Sequence, residues 1–286
     1  MLNTRVLRRR IRSVENTAKI CKAMEMIATS KMKRAQDQAT AGRPYAEKIT
    51  EVISHLAYHA RVGEVPHPLL QRREVKRIAV LHCTTDRGLC GGLNANLNRS
   101  INTLISEQIV PVTLITVGRK GRIFMLRTGR SIHAEFAGIK DKVSLLDTLP
   151  ISRVIIEDYT NEEYDLVYLT YPRFISTMVQ RPIMEVLLPI DPAELPPSQR
   201  GEYIYEPEPD IVLNELLPRF VEMQVYHAVL ELIASEQSAR MVAMRNASQS
   251  AREVMEDLTL TLNKARQESI TNEICDISGG AEALSG

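Results

Sequence analysis

Small and apolar residues recur every three or four positions at both ends of this chain, and that spacing fixes what the ends can become. From the start, Leu7, Ile11, Val14, Ala18, Cys21, Ala28, Met32, Ala35 and Ala39 form one seam, broken only by Glu25. Towards the end, Met244, Ala247, Ala251, Val254, Leu258, Leu262 and Ala265 repeat the pattern. Alternating steps of three and four average ~3.5 residues, the period that keeps one stripe of a helix facing a partner helix. At ~1.5 Å per residue, a helix of ~55 residues spans roughly 80 Å, far more than a globular domain needs. A chain with such rods at both ends is built to reach or to turn something.

Composition excludes several classes. With 286 residues, 44% hydrophobic and 25% charged, the chain can bury a core in one or two domains. A net charge of +1 gives no overall field for nucleic acid or acidic substrates. The charge is nevertheless uneven: residues 1–34 hold ten Lys or Arg against only Glu15 and Glu25. Cys21, Cys83, Cys90 and Cys275 form neither a CxxC pair nor a metal-ligand spacing, which suits a reducing compartment. No apolar run approaches the ~20 residues of a membrane span. The Arg-rich, acid-poor start shares features with a transit peptide. The seam runs straight through it, so it reads as mature structure.

The chain divides into three parts: an N-terminal coiled-coil helix over 1–72, an α/β domain over 73–206 and a C-terminal coiled-coil helix over 207–286. The first helix is expected from about Asn3 to Ala60, capped by Asn3 or Thr4 and stopped by Gly63, Pro66 and Pro68. Gly42 and Pro44 suggest a kink or a packing contact within it. In the middle, Arg77–Cys83, Val112–Val117, Ser131–Phe136 and Asp165–Thr170 read as strands. Asn94–Gln108, Arg119–Arg127 and about Asp141–Asp158 read as helices. This alternation predicts a layered domain with a largely parallel sheet, and Met178–Leu188 adds an antiparallel strand after a short loop. A proline-dense connector runs from Pro189 to Pro209. The last helix is expected from about Asp210 to Ser278, bent or restarted at Pro218 and ended by Gly279-Gly280.

The sequence offers catalytic leads that fail on inspection. A glycine-rich turn, Thr85-Asp86-Arg87-Gly88-Leu89-Cys90-Gly91-Gly92, joins a strand to a helix, where dinucleotide pyrophosphates bind. Its spacing is Gly-x-x-Gly-Gly rather than GxGxxG, and the next strand ends in Val117-Gly118-Arg119-Lys120, without an acidic residue for a ribose. No GxxxxGK[ST] loop occurs. A tight turn requiring glycine is the better reading. His55 and His59 share a helical face, but Leu56 stands where a zincin-type site needs Glu, and a third ligand is missing. Cys90 lacks a neighbouring base and reads as a small buried hydrophobe. No cofactor, metal or catalytic residue is expected. The basic first helix contains no Phe, Tyr or Trp within residues 1–40 for base stacking, so an acidic protein partner fits it better than nucleic acid.

Four segments resemble one family. Ile11–Gln36 (IRSVENTAKICKAMEMIATSKMKRAQ) is similar to the opening helix of the rotary ATP synthase gamma subunit, the central stalk. Thr85–Asn94 resembles its central motif, and Ser235–Met244 (SEQSARMVAM) its C-terminal helix. Ile270-Thr271-x-Glu273-x-x-Asp276-x-x-x-Gly280-Ala281-x-Ala283 matches its terminal signature in order and spacing. They occur in the family's order and are spread from residue 11 to residue 283.

The resemblance implies a long antiparallel two-helix coiled coil with a Rossmann-like α/β domain inserted between its helices. It also implies a non-catalytic rotor that turns inside a ring of α and β subunits, contacts epsilon and the membrane c-ring, and belongs to a bacterial complex at the cytoplasmic face of the membrane. By the same resemblance, Lys22 and Met24 pass the acidic lever segments of β. Arg240, Gln267, Thr271 and Glu273 match positions that contact the α/β ring or brace the two helices. Cys21 stands where the family usually has a hydroxyl residue, and the plastid dithiol insertion has no counterpart. Pairing of the two seams is expected to place Met24 opposite roughly Gln267 and Ala39 opposite roughly Arg252. Two alternatives from other classes are a nucleotide-dependent oxidoreductase, which needs a working glycine turn, and a coiled-coil adaptor, which has no need of the terminal signature.

Overall fold

The strand and helix periods read above recur in the computed structural model, which describes residues 4–60, 67–191 and 208–285. Two compact units divide the chain: Met1–Ala28 with Met241–Gly286, and Thr29–Arg240. Both terminal helices, α1 (Thr4–Ala60) and α5 (Pro209–Ser285), contribute to each unit.

The larger unit is built on five strands, β1 (Ile78–Cys83), β2 (Val112–Val117), β3 (Ile132–Phe136), β4 (Leu166–Phe174) and β5 (Gln180–Leu188). Their order is β3-β2-β1-β4-β5; β1 to β4 are parallel and β5 runs antiparallel to β4. Between them lie α2 (Leu93–Glu107), α3 (Arg119–Arg127) and α4 (Leu145–Thr160). Every residue of β1 is buried, as a strand covered on both faces requires, and the side chains alternate between two cores. Ile78 and Val80 pack with Leu114, Ile101, Ile105 and Met125, under α2 and α3. Ala79, Leu81 and Cys83 pack on the other face with Ile151, Ile155 and Tyr159 of α4, Ile49 and Ile53 of α1, and Leu217, Val221 and Val225 of α5. Within the same unit, Ala35 and Ala39 of α1 join Val229, Leu230, Ile233 and Ala234 of α5 in a further apolar cluster.

His82 points into the α2 side of the sheet. Its Nδ1 lies 3.0 Å from Thr170 Oγ1 and its Nε2 lies 2.9 Å from Asn98 Oδ1. Burial pushes its pKa down to about 4, so the ring is neutral and serves to tie three elements together.

In the smaller unit α1 and α5 pair antiparallel. Arg245 Nε donates to Glu25 Oε1 at 3.1 Å, and Ser248 Oγ donates to Ala18 O at 3.3 Å. The direction agrees with expectation and the register does not. Glu25 meets Arg245, whereas the expected pairing put Met24 near Gln267, which is three heptads further along α5. A seam with a seven-residue period is equally satisfied by shifts of whole heptads, so periodicity alone cannot choose among them. The buried stripe of α5 also differs in detail. Ser248 is buried and Met255 half-buried, while Val254 is 47% exposed. Reading by apolarity passes over a serine whose hydroxyl is satisfied by a facing carbonyl.

Element ends hold other differences. Helix α4 starts at Leu145 because the Asp147 carboxylate accepts both the Ser144 N–H (2.8 Å) and its hydroxyl (2.6 Å), closing a capping box. Strand β4 continues to Phe174, paired with β5 along the added residues. Helix α5 runs through Pro218 and through Gly279-Gly280 to Ser285. A glycine ends a helix by adopting positive φ, and neither of these does. Asn3, Gly63, Pro66 and the connector prolines Pro192, Pro196, Pro197 and Pro207 lie outside the described residues, as do the side chains of His55 and His59.

Cysteines at positions 18 and 248 are therefore expected to cross-link under mild oxidation, and a pair at 39 and 252 is not; mobility on non-reducing gels reads the difference. His82 sets a second expectation. Its folded pKa lies below the 6.5 of an ordinary histidine, so the unfolded chain binds the proton first as pH falls. Stability is retained above pH ~6.5 and declines by about 3 kcal/mol on the way to pH ~4. Urea unfolding of His82→Gln should show a flatter decline across that window than the parent chain.

Candidate functional site

In an open parallel sheet, ligands bind outside the carboxyl ends of the strands, where the strand order reverses. Here that switch point lies between β1 and β4. The glycine turn leaves β1 at this place, so it is the natural candidate for a nucleotide crevice.

The first N–H groups of α3 are taken up one by one by three consecutive residues after β1. The Arg119 N–H donates to Asp86 Oδ1 (3.0 Å), the Lys120 N–H to Thr85 O (3.1 Å) and the Gly121 N–H to Thr84 Oγ1 (2.8 Å). The start of the neighbouring helix α3 is thereby satisfied internally, and these bonds tie it to the loop that leaves β1. Asp86 also accepts the Gly138 N–H at 2.7 Å, and its carboxylate lies 3.5 Å from Arg119 Nε. So close an approach needs glycine. Gly118 has φ +90°, and a Cβ there would sit 2.0 Å from Thr84 O.

The turn is held from within by Asn94. Its Nδ2 donates to Thr85 Oγ1 at 2.8 Å, and its Oδ1 accepts the Thr85 N–H at 3.3 Å. Gly91 has φ +58°, as the tight-turn reading expects, but Leu89 also has φ +63° and an exposed side chain. A bulky residue in that region is strained.

Helix α5 then fills the crevice. Glu231 Oε2 accepts the Phe174 N–H (2.8 Å), Ser235 Oγ donates to Pro172 O (2.8 Å), and Ser238 Oγ donates to Thr177 O (2.8 Å). Arg240 Nη2 donates to Gly88 O at 3.1 Å and to Glu236 Oε1 at 2.5 Å. Ala239 packs against Cys90, Leu93 and Leu97 at the start of α2. Burial raises the Glu236 pKa against the opposing pull of Arg240, and burial followed by the nearby Glu236 raises that of the Cys90 thiol. A thiol held in its neutral form is a poor nucleophile. The crevice is a joint between a helix and a sheet.

The residues singled out in the sequence do not converge on one place. Arg240 is buried in this joint. Lys22 is exposed and Met24 half-buried on α1, while Gln267, Thr271 and Glu273 are all exposed on α5. Glu231, Ser235 and Ser238 are anchors that the sequence reading did not assign. The detectable signal is three polar residues at i, i+4 and i+7 on a helix whose other inward positions are apolar. Among the described residues no cluster of His, Cys, Asp and Glu is placed to hold a metal, and no helix is long and apolar enough to cross a membrane.

The chain matches the ATP synthase family over residues 3–284. The ATP synthase gamma chain of Dehalococcoides mccartyi strain CBDB1 is 62% identical over 284 residues, covering 99% of this chain and 100% of the relative. That of Herpetosiphon aurantiacus is 46% identical over 293 residues, covering 99% of each. The chain belongs to the ATP synthase gamma-chain family. Among solved structures, a chain of the Tetrahymena thermophila mitochondrial ATP synthase central stalk and c-ring matches with TM-score 0.62 and 27% identity, covering 80% of this chain and 99% of that one. A chain from the Euglena gracilis OSCP/F1/c-ring assembly shares the fold, with TM-score 0.69 at 18% identity, covering 98% of this chain and 94% of that one. ATP synthesis and ion transport follow from membership of this family.

Gly118→Ala tests the joint, since it adds a methyl group against a backbone oxygen and forces a left-handed angle. It should cost about 2–5 kcal/mol of the larger unit's stability by urea unfolding. A loss below about 0.5 kcal/mol, typical of surface sites, would show that the contact between Thr84 and α3 is not needed.

Proposed function

We propose that this chain is the non-catalytic rotor, or central-stalk, subunit of a rotary ATP synthase. It couples ion flow through the membrane c-ring to ATP synthesis or hydrolysis on the β subunits by turning inside the α/β ring. The observation that carries this reading is the filled crevice: α5 occupies the carboxyl edge of the sheet and covers the glycine turn that leads into α2. A Rossmann-like sheet closed in this way supports a mechanical rather than a catalytic role.

The partners are the α and β subunits, epsilon and the c-ring, at the cytoplasmic face of the bacterial membrane. The working division is 1–72 and 207–286 as the shaft, with 73–206 as the inserted domain. Lys22, Met24, Arg240, Gln267, Thr271 and Glu273 are the proposed partner-facing or bracing residues. Of these, Arg240 acts as an internal brace, consistent with its burial and its bonds to Gly88 and Glu236. Rotation shifts the populations of β conformers only if the shaft contacts some of them more favourably than others. Each contact must also be weak enough to release, and an exposed ion pair, worth ~0–1 kcal/mol, satisfies this.

Added to purified α and β subunits, the chain should convert weak, uncoordinated ATP hydrolysis into sustained turnover. A bead attached near Lys120 or Arg130 should then rotate in steps when ATP is supplied. ATPase activity in the purified chain alone, surviving removal of contaminating β, would overturn the assignment. Failure to assemble with α and β would favour a coiled-coil adaptor.

A further inference from the structure

Glu25 occupies a seam position of α1, between Cys21 and Ala28, and its side chain is only 8% exposed. A carboxylate in such a place must be paired. Each of its oxygens has a cation. Lys22 Nζ lies 2.9 Å from Oε2, one turn back on the same helix, and Arg245 Nε of α5 lies 3.1 Å from Oε1. The Lys22 hydrogen bond, helped by Arg245, holds the Glu25 carboxyl below the ordinary carboxylate range, so it stays ionised. Both cations remain open to water, with side chains 53% and 61% exposed. Two solvent-facing cations are thus tethered to one buried anion, and the group carries one net positive charge instead of two.

We propose that Glu25 is a positioning residue that acts as an internal counter-ion, limiting how tightly Lys22 and Arg245 can hold the acidic segments of β. This rests on the rotor reading above. An acidic group on a partner competes with Glu25 for either cation. A cation that leaves strips a buried carboxylate of part of its compensation, and that penalty is subtracted from the new contact. The contact is therefore weak at every angle, which is the condition for release. The same pair also bridges the two helices, so the test must separate charge from packing.

Glu25→Gln, assembled with α and β, raises the local charge by one and removes the interhelix ion pair. Glu25→Gln with Arg245→Gln also lacks the pair but restores the original local charge. We expect Glu25→Gln to slow ATP turnover about two- to fivefold at low salt, the range one gained exposed ion pair spans. Raising salt from about 50 to about 500 mM should relieve the slowing, because exposed charges are then screened within a few ångströms. The double variant should return to the parent rate at low salt. Parent-like turnover of Glu25→Gln at low salt would overturn the proposal. So would slowing that neither salt nor the second substitution relieves, since that pattern belongs to lost packing. If the parent chain itself fails to support turnover, the rotor reading falls and this inference with it.

Discussion

The hydrogen bonds from the start of α3 to Thr84, Thr85 and Asp86 set the geometry of the whole carboxyl edge of the sheet. Helix starts carry unpaired N–H groups, and in dinucleotide-binding folds a phosphate satisfies them. Here the N–H groups of α3 are satisfied by the loop that leaves the neighbouring strand β1, and Gly118 lets the two backbones approach closely enough. With that edge closed, the turn after β1 can present the Gly88 carbonyl to Arg240, and α5 can lie across the strand ends. A ligand crevice and a mechanical joint differ here only in who supplies the hydrogen-bond partners.

The position of the joint was legible in the sequence, and its partners were not. The turn Thr85–Gly92 stood out through its own glycines, yet the close approaches occur at Gly118 and Gly121, against Thr84. The residues that meet there are 34 and 37 positions apart, and no local pattern connects them. Glu231, Ser235 and Ser238 were similarly silent, because a polar residue on a helix is read as solvent-facing until its buried acceptor is seen. Strands and helices themselves could be read, since their periods of 2 and 3.6 are imprinted by burial on one or both faces. Where ends were misjudged, local chemistry decided: the Ser144–Asp147 capping box delayed α4, and Gly279-Gly280 kept helical angles that let α5 continue.

The seam shows the same division between what repetition can and cannot say. Ala18, Ala28, Ala35 and Ala39 give α1 a stripe of small residues that allows close packing. Such a stripe is nearly identical after each heptad. Burial of apolar surface is non-directional and rewards several registers almost equally. Glu25 interrupts the stripe, and read as an apolar pattern it is a defect. In the structure it pairs with Arg245, yet Arg252 and Arg266 stand one and three heptads further along α5, so a cation for Glu25 recurs in those registers and the pair alone does not choose among them.

Bridging by a few polar residues recurs in both units, and it bears on what the fold can do. In one, Glu25, Arg245 and Ser248 bridge the paired helices; in the other, Glu231, Ser235, Ser238 and Arg240 fix α5 against the strand ends. Apolar packing supplies most of the attraction in each, yet it resists sliding along a helix axis only weakly. Hydrogen bonds and ion pairs with defined partners resist it strongly, because a displacement of even one turn leaves buried groups unpaired at about 1–3 kcal/mol each. Some of these partners are backbone carbonyls and N–H groups, which cannot swing aside as side chains do. The stretch of α5 up to Arg240, pinned in this way, is held to the sheet it crosses as one body.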